Sequence, residues 1–287
     1  MKLANFHHAG QVRLGVVTPE GVIDLNLSQP HIPAELGTAL QAEADIHSAA
    51  HAAVASKAAR IPLANVKYAQ PVVRPGKIIC LGLNYFDHAK EGGRDKPDYP
   101  WFFFRGATSL IAHDEPGLRP RVSERFDYEA ELAVVVGKKE RHATRANALD
   151  CVFGYSCFND MSVRDYQKKT PQWTIGKNFD GTGAFGPMLV TADELAPGAT
   201  GLSIQCRLNG QVMQNANTSD MIFSVVDTIV LLTECMTLEP GDVIIMGTPA
   251  GVGQARTPPV WMKHGDTVEV DIAQIGLLSN PIKDEAE

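Results

Sequence analysis

The chain is poor in several features that mark common protein classes. Aromatic residues make up 7% of its 287 positions, and no apolar run approaches the roughly 20 residues that a membrane-spanning helix needs. Residues 1–8 lack the apolar core of a secretory signal. The cysteines are few and scattered: Cys80, Cys151, Cys157, Cys206 and Cys235. Their number is odd and none forms a Cys-x-x-Cys pair. Most sit in apolar stretches. This argues against a disulfide framework or a zinc cluster, and for reduced thiols in a cytoplasmic protein. Positive charge is also short. A net charge of −7 and a pI near 5.7 disfavour nucleic acid as the main partner, since phosphate binding needs a basic surface. There is no internal repeat, no P-loop and no serine nucleophile elbow.

What the chain does have is short apolar stretches between frequent turns. It is 44% hydrophobic, with 25 glycines and 18 prolines, as in a turn-rich globular protein. Residues 127–137, Asp-Tyr-Glu-Ala-Glu-Leu-Ala-Val-Val-Val-Gly, organise the rest. The β-branched run stopped by Gly137 predicts a strand. Side chains alternate along a strand, so Glu129 and Glu131 fall on one face. Two carboxylates there repel unless something positive lies between them. A hard divalent cation meets that need. A solvated strand face can carry the same Glu-x-Glu pattern.

Residues 1 to about 70 read as a separate small unit. It holds a hairpin of residues 11–17 and 21–25 and an alanine-rich helix over about residues 39–60. His47 and His51, four apart on that helix, suit a solvated face because nothing nearby completes a metal site. Prolines 62, 71 and 75 punctuate a connector. Residues 77–83 predict a buried strand that opens into a segment with His88 and Glu91 three apart. On a helical turn the two are neighbours, as in a general base held by a carboxylate or an ordinary surface ion pair. Gly92 and Gly93 end that turn and let it move. Residues 101–104 form an apolar strand ending at Arg105. A further strand over residues 151–158 leads to Asn159 and Asp160, a carboxylate at a strand end, where ligands usually sit. Arg164, Asp165 and Gln167 follow on a short turn. Lys177 lies among apolar and glycine residues. Asn209-Gly210 marks a hairpin, residues 221–236 have helical spacing, and residues 266–275 alternate as a late strand. The acidic tail from Lys283 reads as frayed. Residues 247–253 form a glycine-rich loop, read as backbone approaching a small ligand, with its amides and the Thr248 hydroxyl as donors.

Together these motifs carry a resemblance. Gly82-Leu83-Asn84-Tyr85-x-x-His88-x-x-Glu91, Tyr128-Glu129-x-Glu131-Leu132, Phe158-Asn159-Asp160-x-x-x-Arg164-Asp165-x-Gln167, Gly176-Lys177-Asn178-Phe179, Asn209-Gly210 and Gly247-Thr248-Pro249-x-Gly251-Val252-Gly253 occur in that order. From about residue 70 to 282 the chain resembles the fumarylacetoacetate hydrolase superfamily, specifically bacterial members with a short N-terminal domain.

That resemblance implies a mixed α+β fold, predominantly β. A β-roll or sandwich catalytic domain would span residues 71–287, beside a small N-terminal α+β domain over residues 1–70. It implies a homodimer, and Mg²⁺ or Mn²⁺ held by Glu129, Glu131 and Asp160. It places His88, Glu91 and Lys177 in catalysis, and Tyr85, Arg105, Arg164, Gln167 and Thr248 at the substrate. Arg105 stands where many relatives have lysine, and Ser109 and His113 lie in the same loop. The extra upstream aspartate ligand of longer relatives has no equivalent here.

The implied substrate is a small 2-oxo acid that chelates the metal, with no nucleic acid or membrane partner. The reaction expected first is hydrolysis of a C–C bond in an acylpyruvate or 2,4-dioxo acid, giving pyruvate and a carboxylic acid in aromatic or sugar-acid catabolism. Oxaloacetate decarboxylation, and 2-oxo acid isomerisation or hydration, are the alternatives at the same site. A non-catalytic keto-acid binding protein is the contrasting class, and it would be expected to lack the His88–Glu91 pair.

Overall fold

The computed structural model describes residues 1–56 and 58–286. The chain opens with strands β1 (Lys2–His8), β2 (Gln11–Thr18) and β3 (Gly21–Asp24). β2 and β3 are the expected hairpin. β1 was not expected: it lies between two neighbours, so four consecutive side chains are buried and no alternation shows. The alanine-rich segment is two helices, α1 (Leu36–Gln41) and α2 (Ile46–Ala55). Glu43 takes a positive φ between them, and the Asp45 side chain caps α2 by accepting the Ser48 amide. His47 packs its ring edge against Phe153, and His51 is exposed.

Next come β4 (Ile78–Gly82), helix α3 (Phe86–Glu91), and β5 (Trp101–Arg105). The stretch expected as one strand is two: β6 (Phe126–Asp127) and β7 (Ala130–Val136). The break at Tyr128 and Glu129 has a local cause. The Tyr128 amide bonds the Asp127 side chain and the Glu129 amide bonds Asn159 Oδ1, so neither joins a ladder. β8 (Val152–Asp160), β9 (Ser162–Val163), helix α4 (Thr174–Lys177) and β10 (Gly183–Thr191) follow. The hairpin β11 (Ser203–Leu208) and β12 (Gln211–Asn217) turns at Asn209-Gly210, both at positive φ. After α5 (Val225–Cys235), capped by Ser224 and Asp227, come β13 (Val243–Ile245), β14 (Thr267–Ile272) and β15 (Gly276–Asp284). The tail expected to fray is instead the end of β15 as far as Asp284. It pairs with residues 117–119 and bonds Arg119.

The main path of the large mixed sheet runs from a short edge strand, Arg60–Ile61, through β3, β2, β1, β10, β8, β7, β13 and β4 to β5. A second sheet contains β12, β11, β14 and β15. The fold is thus mixed α+β and predominantly β. Strand β7 is buried throughout because it serves two cores. Leu132, Val134 and Val136 face one apolar cluster, and Ala133 and Val135 face the other. Glu131 shares the second face and pairs across to Phe158. β4 and β13 are parallel, whereas β7 is antiparallel to both β13 and β8. The end of β4, the start of β7, the end of β8 and the loop after β13 therefore meet at one edge of the sheet. No described helix is long and apolar enough to cross a membrane.

Candidate active site

That shared edge holds the acidic residues. Glu129, Glu131 and Asp160 are all buried, and one oxygen from each lies within 4.8 Å of the others. Two of the three have cations. Lys177 Nζ, at the end of α4, lies 2.5 Å from both Glu129 Oε2 and Asp160 Oδ2. Arg164 is 2.7 Å from the other Glu129 oxygen, and Arg105 Nε donates to the other Asp160 oxygen. Among the described residues Glu131 forms no ion pair; its Oε2 accepts only the Gly247 amide.

The titration behaviour follows. Burial raises Glu131, and Asp160 and Glu129 raise it further, so its pKa stands well above the usual carboxylate range. Burial also works against an ionised Glu129, but Arg164 and Lys177 outweigh it and hold that carboxyl down to about 2. Burial disfavours the Lys177 ammonium, yet Asp160 and Glu129 keep it charged. Three converging carboxylates, one lacking a counter-charge, form a hard-oxygen donor set that fits Mg²⁺ or Mn²⁺.

A cavity of about 710 Å³ opens over this trio. His88 and Glu91 reach it from α3, His88 Nδ1 lying 2.8 Å from Glu91 Oε1. Glu91 Oε2 accepts the Gly251 amide at 2.9 Å, so one carboxylate both orients the imidazole and fastens α3 to the glycine-rich loop. Arg164, Gln167, Lys177 and Thr248 also line the cavity.

Three of the residues expected at the substrate are engaged or placed otherwise in this structure. Tyr85 does not line the cavity; it is buried behind the sheet edge, its hydroxyl unpartnered among the described residues. Arg105 does not line it either. Its guanidinium is spent behind Asp160, donating to that carboxylate and to the carbonyls of Met161 and Thr182. The Thr248 hydroxyl is not free to donate to a ligand, because it donates to the Ala130 carbonyl while accepting from Gln214.

Sequence reasoning also passed over Asp127. Fully buried, it accepts the amides of Gly253 and Gln254 and the Arg164 Nε, joining the glycine-rich loop to the arginine beside Glu129. Its place two residues before Glu129 was the available signal. Also missed were an aromatic wall of Trp101, Phe103 and Trp173 and the basic residues Arg94, Lys168 and Lys169 along the cavity. Trp173 packs where Gly82 has no side chain; a Cβ there would meet its ring at 1.9 Å.

The β-rich fold and the carboxylate trio at its sheet edge define the class. Residues 77–283 match the family described as fumarylacetoacetate (FAA) hydrolase C-terminal, and the chain belongs to that family. It is 38% identical over 288 residues to the mitochondrial oxaloacetate tautomerase FAHD2A of Homo sapiens, covering 98% of this chain and 91% of that protein. Among solved structures, it is similar to a fumarylacetoacetate hydrolase from the psychrophilic Exiguobacterium antarcticum (TM-score 0.87, 34% identity, covering 99% and 100% of the two chains). It is also similar to maleylpyruvate hydrolase from Sphingobium sp. SYK-6 in complex with manganese(II) and pyruvate (TM-score 0.83, 30% identity, both chains covered entirely). The family is one of enzymes, and its named members include hydrolases, isomerases and tautomerases.

Proposed function

We propose that the protein is a divalent-metal-dependent enzyme of 2-oxo acids whose central step is proton transfer at C3, interconverting the keto and enol forms of an oxaloacetate-like substrate. One observation carries this reading: the His88–Glu91 pair lines the same cavity as the carboxylate trio and Lys177. Glu129, Glu131 and Asp160 would hold Mg²⁺ or Mn²⁺, which when bound supplies Lewis acidity to the 2-oxo group and so acidifies C3–H. The other steps belong to side chains. Glu91 accepts the hydrogen bond from His88 Nδ1–H, leaving the Nε2 lone pair to remove a proton from C3 and the resulting Nε2–H to return it. Lys177, kept charged by its two carboxylates, stabilises negative charge developing on the C2 oxygen. The bond from Glu91 to Gly251 holds α3 over the cavity and limits water access. The full-length likeness to oxaloacetate tautomerases supports this reading.

A second reading is hydrolysis of the C3–C4 bond of an acylpyruvate or 2,4-dioxo acid. A carboxylate-backed imidazole can also take a proton from water for attack at C4, and the likeness to maleylpyruvate hydrolase favours it. Cleavage then gives pyruvate and a carboxylic acid, with C3 receiving the proton.

The test is solvent-deuterium exchange at C3 of oxaloacetate and acetylpyruvate, followed by NMR with Mg²⁺, Mn²⁺ or EDTA, while pyruvate and acetate are assayed. Metal-dependent exchange without cleavage supports the tautomerase. Metal-dependent acetate release moves hydrolysis first, and pyruvate from oxaloacetate alone points to decarboxylation. His88→Ala should lower exchange by about 10²- to 10⁴-fold while leaving the metal-induced thermal shift in place. Exchange that survives EDTA would sink the metal role. We also infer a homodimer: β5 ends the main path of the large sheet with Phe104 exposed, and Ile175 is exposed on α4. Sedimentation measures it.

A further inference from the structure

Behind the glycine-rich loop lies an arginine that neither lines the cavity nor meets an acid. Arg256 is half-buried, and among the described residues it forms no ion pair. Its guanidinium is spent on a phenol and on backbone. Nε lies 3.2 Å from the Tyr128 hydroxyl and 3.3 Å from the Gly251 carbonyl oxygen, and Nη2 donates to the Met213 carbonyl at 2.6 Å. The Tyr128 hydroxyl donates to the same Gly251 carbonyl at 3.2 Å. Burial and the Asp127 carboxylate push the Tyr128 phenol up, so it stays protonated and able to donate.

These bonds converge on one residue of the loop. Gly251 has a φ of +104°, and a Cβ there would meet the Met213 carbonyl oxygen at 2.2 Å. Such a glycine is the freest point of a loop unless its neighbours fix it. On one side Gln214 holds the Pro249 carbonyl; on the other Asp127 holds the amides of Gly253 and Gln254. Between them, the Gly251 carbonyl is left to Arg256 and Tyr128. The Gly251 amide is the group that Glu91 accepts. One glycine is therefore gripped at its carbonyl by Arg256 and offers its amide to α3.

We propose that Arg256 is a positioning residue for α3: by fixing Gly251 it presents the amide on which Glu91 docks, and so keeps His88 oriented over the cavity. The proposal rests on the acid–base reading of the His88–Glu91 pair and deepens it. Arg256 touches no reacting atom. Arginine suits the task because its planar fork spans two carbonyls at once, one in the loop and one, Met213, on β12. The closed position of α3 is thereby tied to the second sheet.

The experiment measures amide hydrogen exchange of α3 by mass spectrometry in the full chain with Mn²⁺, for the wild-type protein, Arg256→Met, Glu91→Ala and the double variant. Opening of α3 in Arg256→Met should become more frequent by about ten-fold, the effect of one weakened hydrogen-bonded contact. In the wild-type and Arg256→Met proteins, kcat/KM for C3 exchange of oxaloacetate should fall by the same factor, of order ten-fold, because it scales with the closing equilibrium. Mn²⁺ affinity, by calorimetry, should not change. In the Glu91→Ala background, Arg256→Met should add less than about two-fold to α3 opening, since the two residues act through one contact. Arg256→Lys keeps the charge and a single donor; it should show a smaller loss, and it stands in if Arg256→Met does not fold. Unaltered α3 exchange, an equal further loss in the Glu91→Ala background, or a parallel loss of Mn²⁺ affinity overturns the proposal. A more open α3 with undiminished C3 exchange would sink the acid–base reading of the pair and leave the positioning role of Arg256 standing.

Discussion

Replacing Glu131 with glutamine should change stability in opposite directions with and without metal. Among the described residues, Glu131 is the one carboxylate of the trio that forms no ion pair. Burial and the charges of Asp160 and Glu129 raise its pKa, so the fold retains a proton that the unfolded chain releases above about pH 4.3. Where the folded state binds more protons, stability falls as pH rises, by about 1.4 kcal/mol per pH unit. Between pH 5 and 7 such a group costs up to about 3 kcal/mol. Glutamine keeps the acceptor for Gly247 and removes the charge. In EDTA at pH 7, Glu131→Gln should therefore be more stable by about 1–2 kcal/mol, each kcal/mol raising Tm by roughly 2–4 °C in a chain of this size. The gain should vanish towards pH 4.5.

With metal the order reverses. At a metal concentration about 100 times Kd, the wild-type protein gains about 3 kcal/mol. A variant whose affinity is weakened about 100-fold by the lost ligand gains less than about 0.5 kcal/mol. Thermal melts of both proteins in EDTA and in Mn²⁺, at pH 4.5 and 7, test this directly. A variant that is less stable in EDTA at pH 7, or that gains as much from Mn²⁺ as the wild type, would refute the reasoning.

Arg105→Met should lower stability by about 3–5 kcal/mol in chemical denaturation, because it leaves Asp160 short of a buried partner. Mn²⁺ should recover part of the loss; an unchanged midpoint would count against a supporting role for this arginine. Asp127→Asn removes the charge opposing Arg164, leaving that guanidinium to neutralise Glu129 more fully. Metal affinity measured by calorimetry should then fall about 10- to 100-fold, with a smaller change in Tm; unaltered affinity would show that Asp127 serves the loop alone.

The acidic centre was legible because its signals are local. Glu129 and Glu131 stand two apart before an apolar run, and Asp160 closes a strand. The His88–Glu91 pair was visible from helical spacing and Gly92-Gly93 from their turn-ending character. What escaped depended on contacts distant in sequence. Arg105 was expected at the ligand, yet its partners are the Asp160 carboxylate and the backbone of Met161 and Thr182. Thr248 sits in the cavity wall, but Gln214, 34 residues away, and Ala130 already satisfy its hydroxyl. Strand β1 was hidden because burial on both faces erases alternation. The alanine-rich helix was drawn too long because propensity alone does not register the cap at Asp45. The carboxylate trio was thus readable as a pattern, and the residues that hold it in place were not.

The seam between β1 and β10 has a consequence for how this chain can be dissected. Lys2 and Leu3 pair with Val190 and Leu189, and through them the three N-terminal strands continue the large sheet. A chain begun near residue 71 would leave that stretch of β10 as a bare strand flank, with backbone amides and carbonyls open to any other strand. Leu189 and Val190 are buried apolar residues beside it. The first strand thus acts as a guard rail against sticky self-association. Shortened versions made to isolate the catalytic part should precipitate before they lose the chemistry they were cut to study.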